Sequence, residues 1–139
     1  MLFIPKKTKF KKKQKGKKLN TITKVQSIYG LHFGKLGLKS KEFGHLTSKQ
    51  IVSIRQTINK NIKKKGKLKM NIFPNTQISK KPLEVRMGKG KGSVNRWVFK
   101  VKTGIVLCEI ETFALDIGIN ALKLAQYKIP IKTKIVIYK

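Results

Sequence analysis

Acidic side chains are scarce in this chain: 5 Asp and Glu stand against 34 Lys and Arg, a formal net charge of +29 over 139 residues. Internal charge pairing is therefore excluded as the general state of its cations, and the excess goes far beyond what solubility requires. A single cysteine, Cys108, excludes an internal disulfide framework and suits a reducing compartment. The two histidines, His32 and His45, are far from Cys108 and have no carboxylate pair beside them. Neither a metal site nor a nucleophile dyad has support, and no cofactor is expected. Long apolar runs are also missing. Nothing approaches the roughly 18 residues needed to span a bilayer, and no long helix pairs a basic face with a broad Trp or Phe face.

What is present is a polycation with enough apolar residues, 40%, to build one core. Nucleic acid is the commonest polyanion that neutralises such a chain. We expect a basic extended tail over residues 1–24 and a single domain over residues 25–139. The tail carries Lys6, Lys7, Lys9, Lys11, Lys12 and Lys13, with Lys15, Lys17 and Lys18 beyond them. Such runs cannot pack among themselves and should stay extended until bound to an anion, so deletion of residues 1–18 is expected to leave the domain folded. The apolar start, Leu2 to Ile4, is too short for a secretory signal, and the tail has no Arg, unlike a transit peptide. Lysine outnumbers arginine 31 to 3, as an AT-rich genome would produce.

Along the domain, residues 28–39 alternate apolar positions with glycine, like a strand with bulges. Thr47 and Gln50 form a capping box, Leu46 and Ile51 a hydrophobic staple, and Ile51, Ile54, Ile58 and Ile62 a buried stripe; together they predict a helix over about residues 48–65, stopped by Gly66. Its remaining faces carry Lys49, Arg55, Lys60, Lys63 and Lys64 without acidic partners, which favours RNA contact over a merely solvated face. Residues 67–72 read as a strand ended by Pro74-Asn75. Val94 to Lys102 and Ile105 to Ile110 read as a hairpin around Thr103-Gly104, with Trp97, Phe99 and Cys108 as core residues. A second helix is predicted over about 114–128, burying Ile117, Ala121, Leu124 and Ala125, and a last strand over 132–138. The predicted class is α+β: two helices packed on a mostly antiparallel β-sheet, with the basic tail extended outside it.

The loop over residues 80–93 is the most specific feature. From Arg86 to Gly92 it reads Arg-Met-Gly-Lys-Gly-Lys-Gly, alternating bare backbone with long cations, a composition suited to close approach to phosphate. Gly90-Lys91 is followed by Gly92 instead of Ser or Thr, so it is no nucleotide-binding P-loop. Strand-like residues follow the glycines, so it is no dinucleotide fingerprint either.

These residues resemble a known family. Pro5-Lys6-Lys7-Thr8-Lys9-Phe10, Phe33-Gly34 with Gly37-Leu38-Lys39, Leu46-Thr47 with Gln50-Ile51, Phe73-Pro74, Lys81-Pro82-Leu83, Val85 to Gly92, Trp97-Val98 and Lys123-Leu124-Ala125 occur in the order of the bacterial-type large-subunit ribosomal protein L sixteen family. The chain departs from it at His45, where Arg is usual, and in much Arg replaced by Lys, which removes bidentate donors. The resemblance implies a structural rRNA-binding protein, not an enzyme, near the aminoacyl-site tRNA and the peptidyl transferase region, joining late in large-subunit assembly beside neighbouring ribosomal proteins. It implies that Arg86, Met87, Lys89 and Lys91 are the functional loop positions, with Gly88, Gly90 and Gly92 shaping the backbone. Some bacterial members hydroxylate the arginine matching Arg86. The absence of a recognisable presequence and the lysine bias make a mitochondrial genome the expected source, with a plastid or an AT-rich bacterium as alternatives. The competing reading is a free-standing RNA chaperone or nucleoid protein. An RNA-processing enzyme would need a carboxylate or His cluster that the sequence lacks.

Overall fold

The computed structural model describes residues 3–14 and 30–138. The chain runs β1 (Leu36–Ser40), β2 (Gly44–Thr47), α1 (Ser48–Ile62), β3 (Gly66–Met70), β4 (Thr76–Lys80), β5 (Ser93–Val101), β6 (Val106–Thr112), α2 (Leu115–Gln126) and β7 (Thr133–Ile137). The class is α+β as predicted, but the strands make two antiparallel sheets, not one: β3-β6-β1-β7 and β2-β5-β4.

Helix α1 begins where its local chemistry dictates. The Thr47 hydroxyl accepts from the Gln50 N–H at 3.3 Å while the Thr47 N–H donates to Gln50 Oε1 at 2.9 Å, so two end groups of the helix are satisfied reciprocally. Ile51, Ile54, Ile58 and Ile62 are all buried, in one core with Leu36 and Leu38 of β1, Leu107 and Ile110 of β6, and Leu122 of α2. The helix ends at Ile62, three residues before the expected end at 65. Lys63 takes a positive φ of 54° and its N–H bonds back to the Asn59 carbonyl, and Gly66 opens β3 instead of capping the helix. Lys63 and Lys64 therefore sit in the following turn, off the helical face assigned to them.

The predicted hairpin does not form. Strand β5 pairs with β2 and β4, whereas β6 pairs with β1 and β3. Ser40, at the end of β1, captures the turn between them: its N–H donates to the Ile105 carbonyl at 2.9 Å, its carbonyl accepts from Gly104 N–H at 2.9 Å, and its hydroxyl donates to the Lys102 carbonyl at 2.6 Å. A strand leaving that turn is directed into the other sheet. Strand β1 runs over 36–40 in place of the expected 28–39; residues 28 and 29 lie outside the described residues. In α2 the buried face is Gly118, Ala121, Leu122 and Ala125, while Leu124 is exposed and Ile117 only half-buried. A Cβ at Gly118 would stand 2.4 Å from Leu36 Cδ1. That close approach to β1 sets the helix rotation and turns Leu122, not Leu124, into the core.

Two polar features hold the layers in register. Glu109 of β6 is 2% exposed; one carboxylate oxygen accepts from the N–H groups of His32 and Phe33 at 2.8 and 2.6 Å and the other from the Asn71 amide at 2.6 Å. Burial pushes its pKa up, but the Phe33 N–H, the Asn71 side chain and the His32 and Gly34 N–H groups outweigh it and hold the carboxyl below its ordinary value. The second feature corrects the expectation that the tail buries nothing. Phe3 is half-buried against the core, with its ring centroid 5.2 Å from that of Phe73, and the buried Gln77 amide donates to the Phe10 carbonyl at 3.2 Å. Lys15, Lys17 and Lys18 lie outside the described residues.

Glu109→Gln should place amide hydrogens against donors already in place and cost about 1–3 kcal/mol in urea unfolding. Because the folded pKa is depressed, the carboxylate stabilises the wild type above the unfolded value of about 4.3, and that stability disappears as pH falls through the folded value. The variant should lack this acid-dependent component; equal stability of the two proteins at pH 7 would contradict the assignment.

Candidate nucleic-acid interface

The glycine-lysine loop is the connection between β4 and β5, whose last paired residues are Lys80 and Ser93. At its base the two stems nearly touch, for a Cβ on Gly92 would lie 2.6 Å from the Lys80 carbonyl oxygen. Gly92 is thus required by close approach. At the tip the requirement is conformational: Gly88, Lys89 and Gly90 have φ of 102°, 49° and 79° in succession, a run that residues with side chains rarely adopt. Nothing lies within 4 Å of a Cβ built on Gly88 or Gly90. Every residue from Pro82 to Lys91 is exposed, Arg86 and Lys89 among them, and Met87 is fully so.

The tail meets this loop. The Lys12 ammonium donates to the Lys91 carbonyl at 2.6 Å, and the Lys91 ammonium donates in return to the Lys13 carbonyl at 2.5 Å. Lys81, quoted above for the resemblance but not counted among the binding residues, bonds the Gly88 carbonyl across the loop. The structure therefore brings Lys12, Lys13, Lys81, Gly88 and Lys91 together. Lys6, Lys7, Lys9 and Lys11 are exposed on the same tail segment, with the Lys9 ammonium 5.6 Å from the Phe10 ring centre. Lys49 and Arg55 are exposed on α1, and Lys63 and Lys64 in the turn after it. No hydrogen bond or ion pair joins those four to the loop among the described residues.

Backbone carbonyls, not carboxylates, receive the ammonium groups at this site. The only salt bridge among the described residues is Lys132–Glu42 at 3.1 Å, and Glu109 is committed to the core. The ammonium groups of this cluster are thus satisfied in hydrogen bonds while no ion pair among the described residues cancels their charge. The remaining candidates for other chemistry are inert. Burial pushes the Cys108 thiol up to about 12, so it is no thiolate at neutral pH. His45 is held below its ordinary value by burial and by the charges of Lys100 and Arg96. No group of three or more His, Cys, Asp or Glu among the described residues could hold a metal, and no helix among them is long and apolar enough to cross a membrane.

Two glycine substitutions separate the roles within the loop. Gly92→Val should lower stability by about 1–3 kcal/mol through the clash with Lys80. Gly90→Val should strain only the exposed tip and leave the thermal midpoint within about 3 °C of wild type, since the loop lies outside the core. Equal loss in both, measured by thermal unfolding, would show that the tip is part of the packed structure.

Residues 5–136 match the model of a family described as ribosomal protein L16p/L10e. The large ribosomal subunit protein uL16 of Wigglesworthia glossinidia brevipalpis is 48% identical over 95% of this chain and 94% of its own length. The uL16c protein of Euglena longa is 47% identical over 97% of each chain, and uL16 of Acinetobacter baylyi 43% identical over 95% and 94%.

Proposed function

Since the chain belongs to the ribosomal protein L16p/L10e family, structural and non-enzymatic components of the large ribosomal subunit, we propose that it binds large-subunit rRNA and presents the loop over residues 80–93 to aminoacyl-site tRNA. The observation that carries this reading is the clasp between tail and loop: it gathers Lys12, Lys13, Lys81 and Lys91 around a backbone whose carbonyls accept their hydrogen bonds, and Glu84, the one acid of the loop, forms no ion pair with them among the described residues. The tail and the cations of α1, Lys49 and Arg55, act through charge on phosphates, with Lys63 and Lys64 adding to them from the turn. The loop tip acts through shape, and Arg86 supplies a rigid fork of donors that a lysine cannot mimic.

Joined late in subunit assembly, the clasp would bring tail and loop to the RNA as one unit, next to neighbouring ribosomal proteins. The lysine bias supports an AT-rich genome, for which a mitochondrial source is our reading; immunodetection in purified mitochondria, plastids and cytosol decides among the alternatives.

If the tail and the helix cations neutralise about ten phosphates, affinity for an rRNA fragment should fall with log salt at a slope near −9, and a slope shallower than about −3 would remove the polyelectrolyte basis. Ribosomes carrying Gly90→Val or Arg86→Ala, matched for content of this protein, should bind aminoacyl-tRNA and elongate more slowly. Normal rates in both would show that the loop is only a connector.

A further inference from the structure

A cleft of about 740 Å³ opens where the 31–35 segment, the turn after α1, the end of β6 and the residue after β7 converge. Of its lining only Lys64 is among the cations expected to touch RNA, and no residue of the loop or of the described tail segment lines it. Three aromatic rings line it: Phe33, Phe113 and Tyr138. Phe113 is fully exposed and Tyr138 64% exposed, so in the free protein these rings bury little. Their backbones are nonetheless fixed. The Phe33 N–H is bonded to Glu109, the Tyr138 N–H donates to the Lys35 carbonyl at 2.8 Å, and the Thr112 hydroxyl bonds the Ala114 carbonyl at 3.1 Å across Phe113.

Charge decides the occupant. Lys35, Lys64 and Lys67 line the same cleft, and the Lys69 ammonium stands 5.4 Å from the centre of the Phe33 ring. The one carboxylate there, Glu111, is directly opposite Lys67 in the β3–β6 register, yet no ion pair closes between them. An apolar peptide would leave these cations desolvated and unpaired. Inorganic polyphosphate would leave the rings unused and face Glu111. A group with a flat π-face, N–H donors and a phosphate satisfies all three features. The volume falls within the roughly 300–1,000 Å³ of small-ligand sites.

We propose that this cleft receives a single unpaired RNA nucleotide, its base stacked on the Phe113 and Tyr138 rings and its phosphate on Lys35, Lys64 or Lys67. Extruded bases of folded RNA are recognised in this way, by aromatic stacking combined with backbone charge. The inference rests on the rRNA-binding reading and adds to it a second, base-contacting site.

The test uses the full chain with a single-stranded RNA hexamer containing 5-iodouridine, which cross-links to stacked aromatic side chains. Mass spectrometry should place the cross-links on Phe33, Phe113 or Tyr138. The double variant Phe113→Ala/Tyr138→Ala should cut cross-link yield and lower affinity at least about fivefold, with an unchanged salt slope because no cation is removed. Both positions are exposed, so the variant should retain the wild-type circular dichroism spectrum. Cross-links elsewhere, or undiminished yield in the variant, would overturn the cleft assignment while leaving rRNA binding intact. A hexamer that fails to bind at all would overturn both. Saturable binding of a fluorescent acidic peptide that the double variant loses, with no aromatic cross-link to RNA, would overturn it in favour of a protein partner.

Discussion

The buried carboxylate of Glu109 is the interaction on which the larger sheet and its surroundings depend. In a chain with so few acids, this one is placed in the middle of the apolar strand β6, at a position that would otherwise take Val or Ile. It is stable there because it accepts from the backbone of residues 32 and 33 and from the Asn71 side chain. A loop that carries no strand partner of its own is thereby pinned to the sheet, and its N–H groups are satisfied away from water. The same contacts place Phe33 and Lys35 at the mouth of the cleft. Core architecture and cleft shape thus share one determinant.

The distribution of the other acids follows a pattern. Glu42 pairs with Lys132, Glu111 lines the cleft, Asp116 sits in the first turn of α2 and Glu84 is exposed in the loop; among the described residues none of the four forms an ion pair with a lysine of the tail or the loop. Around the loop, lysines are held by carbonyl oxygens, which satisfy hydrogen bonding but cancel no charge. The tail and loop are consequently positioned by polar contacts that do not themselves cancel the charge of the lysines they hold. A carboxylate in the same geometry would hold them more tightly and weaken them as a phosphate site.

Features set by neighbours in sequence were legible; those set by distant partners were not. Helix α1 could be read because the capping box, the staple and the isoleucine stripe all point to one answer. The segment between β4 and β5 could be read as a loop because its closely spaced glycines interrupt any strand or helix pattern. The hairpin expectation failed at Thr103-Gly104 because Ser40, far away in sequence, captures the turn and redirects the chain. The buried face of α2 was misjudged at Leu124 because helical periodicity alone does not report the close approach of Gly118 to Leu36. Strands β2 and β4 are short and partly polar, so neither alternation nor length announced them. The docking of Phe3 on Phe73 was hidden inside a lysine-rich segment whose average composition argues for solvent. Glu109 did leave a signal, a lone charge inside an apolar strand, although its partners could not be inferred from it.

The strand order of the larger sheet also has a bearing on how the chain is made. Strand β1 lies between β6 and β7, so it has no sheet neighbour until Val106 and then Thr133 have been synthesised. Contacts this distant close late and slowly. The lysine-rich tail, by contrast, is finished first. For the interval between, the growing polypeptide is a polycation without a core to anchor it, and the polyanions around it, not its own fold, are its first available partners.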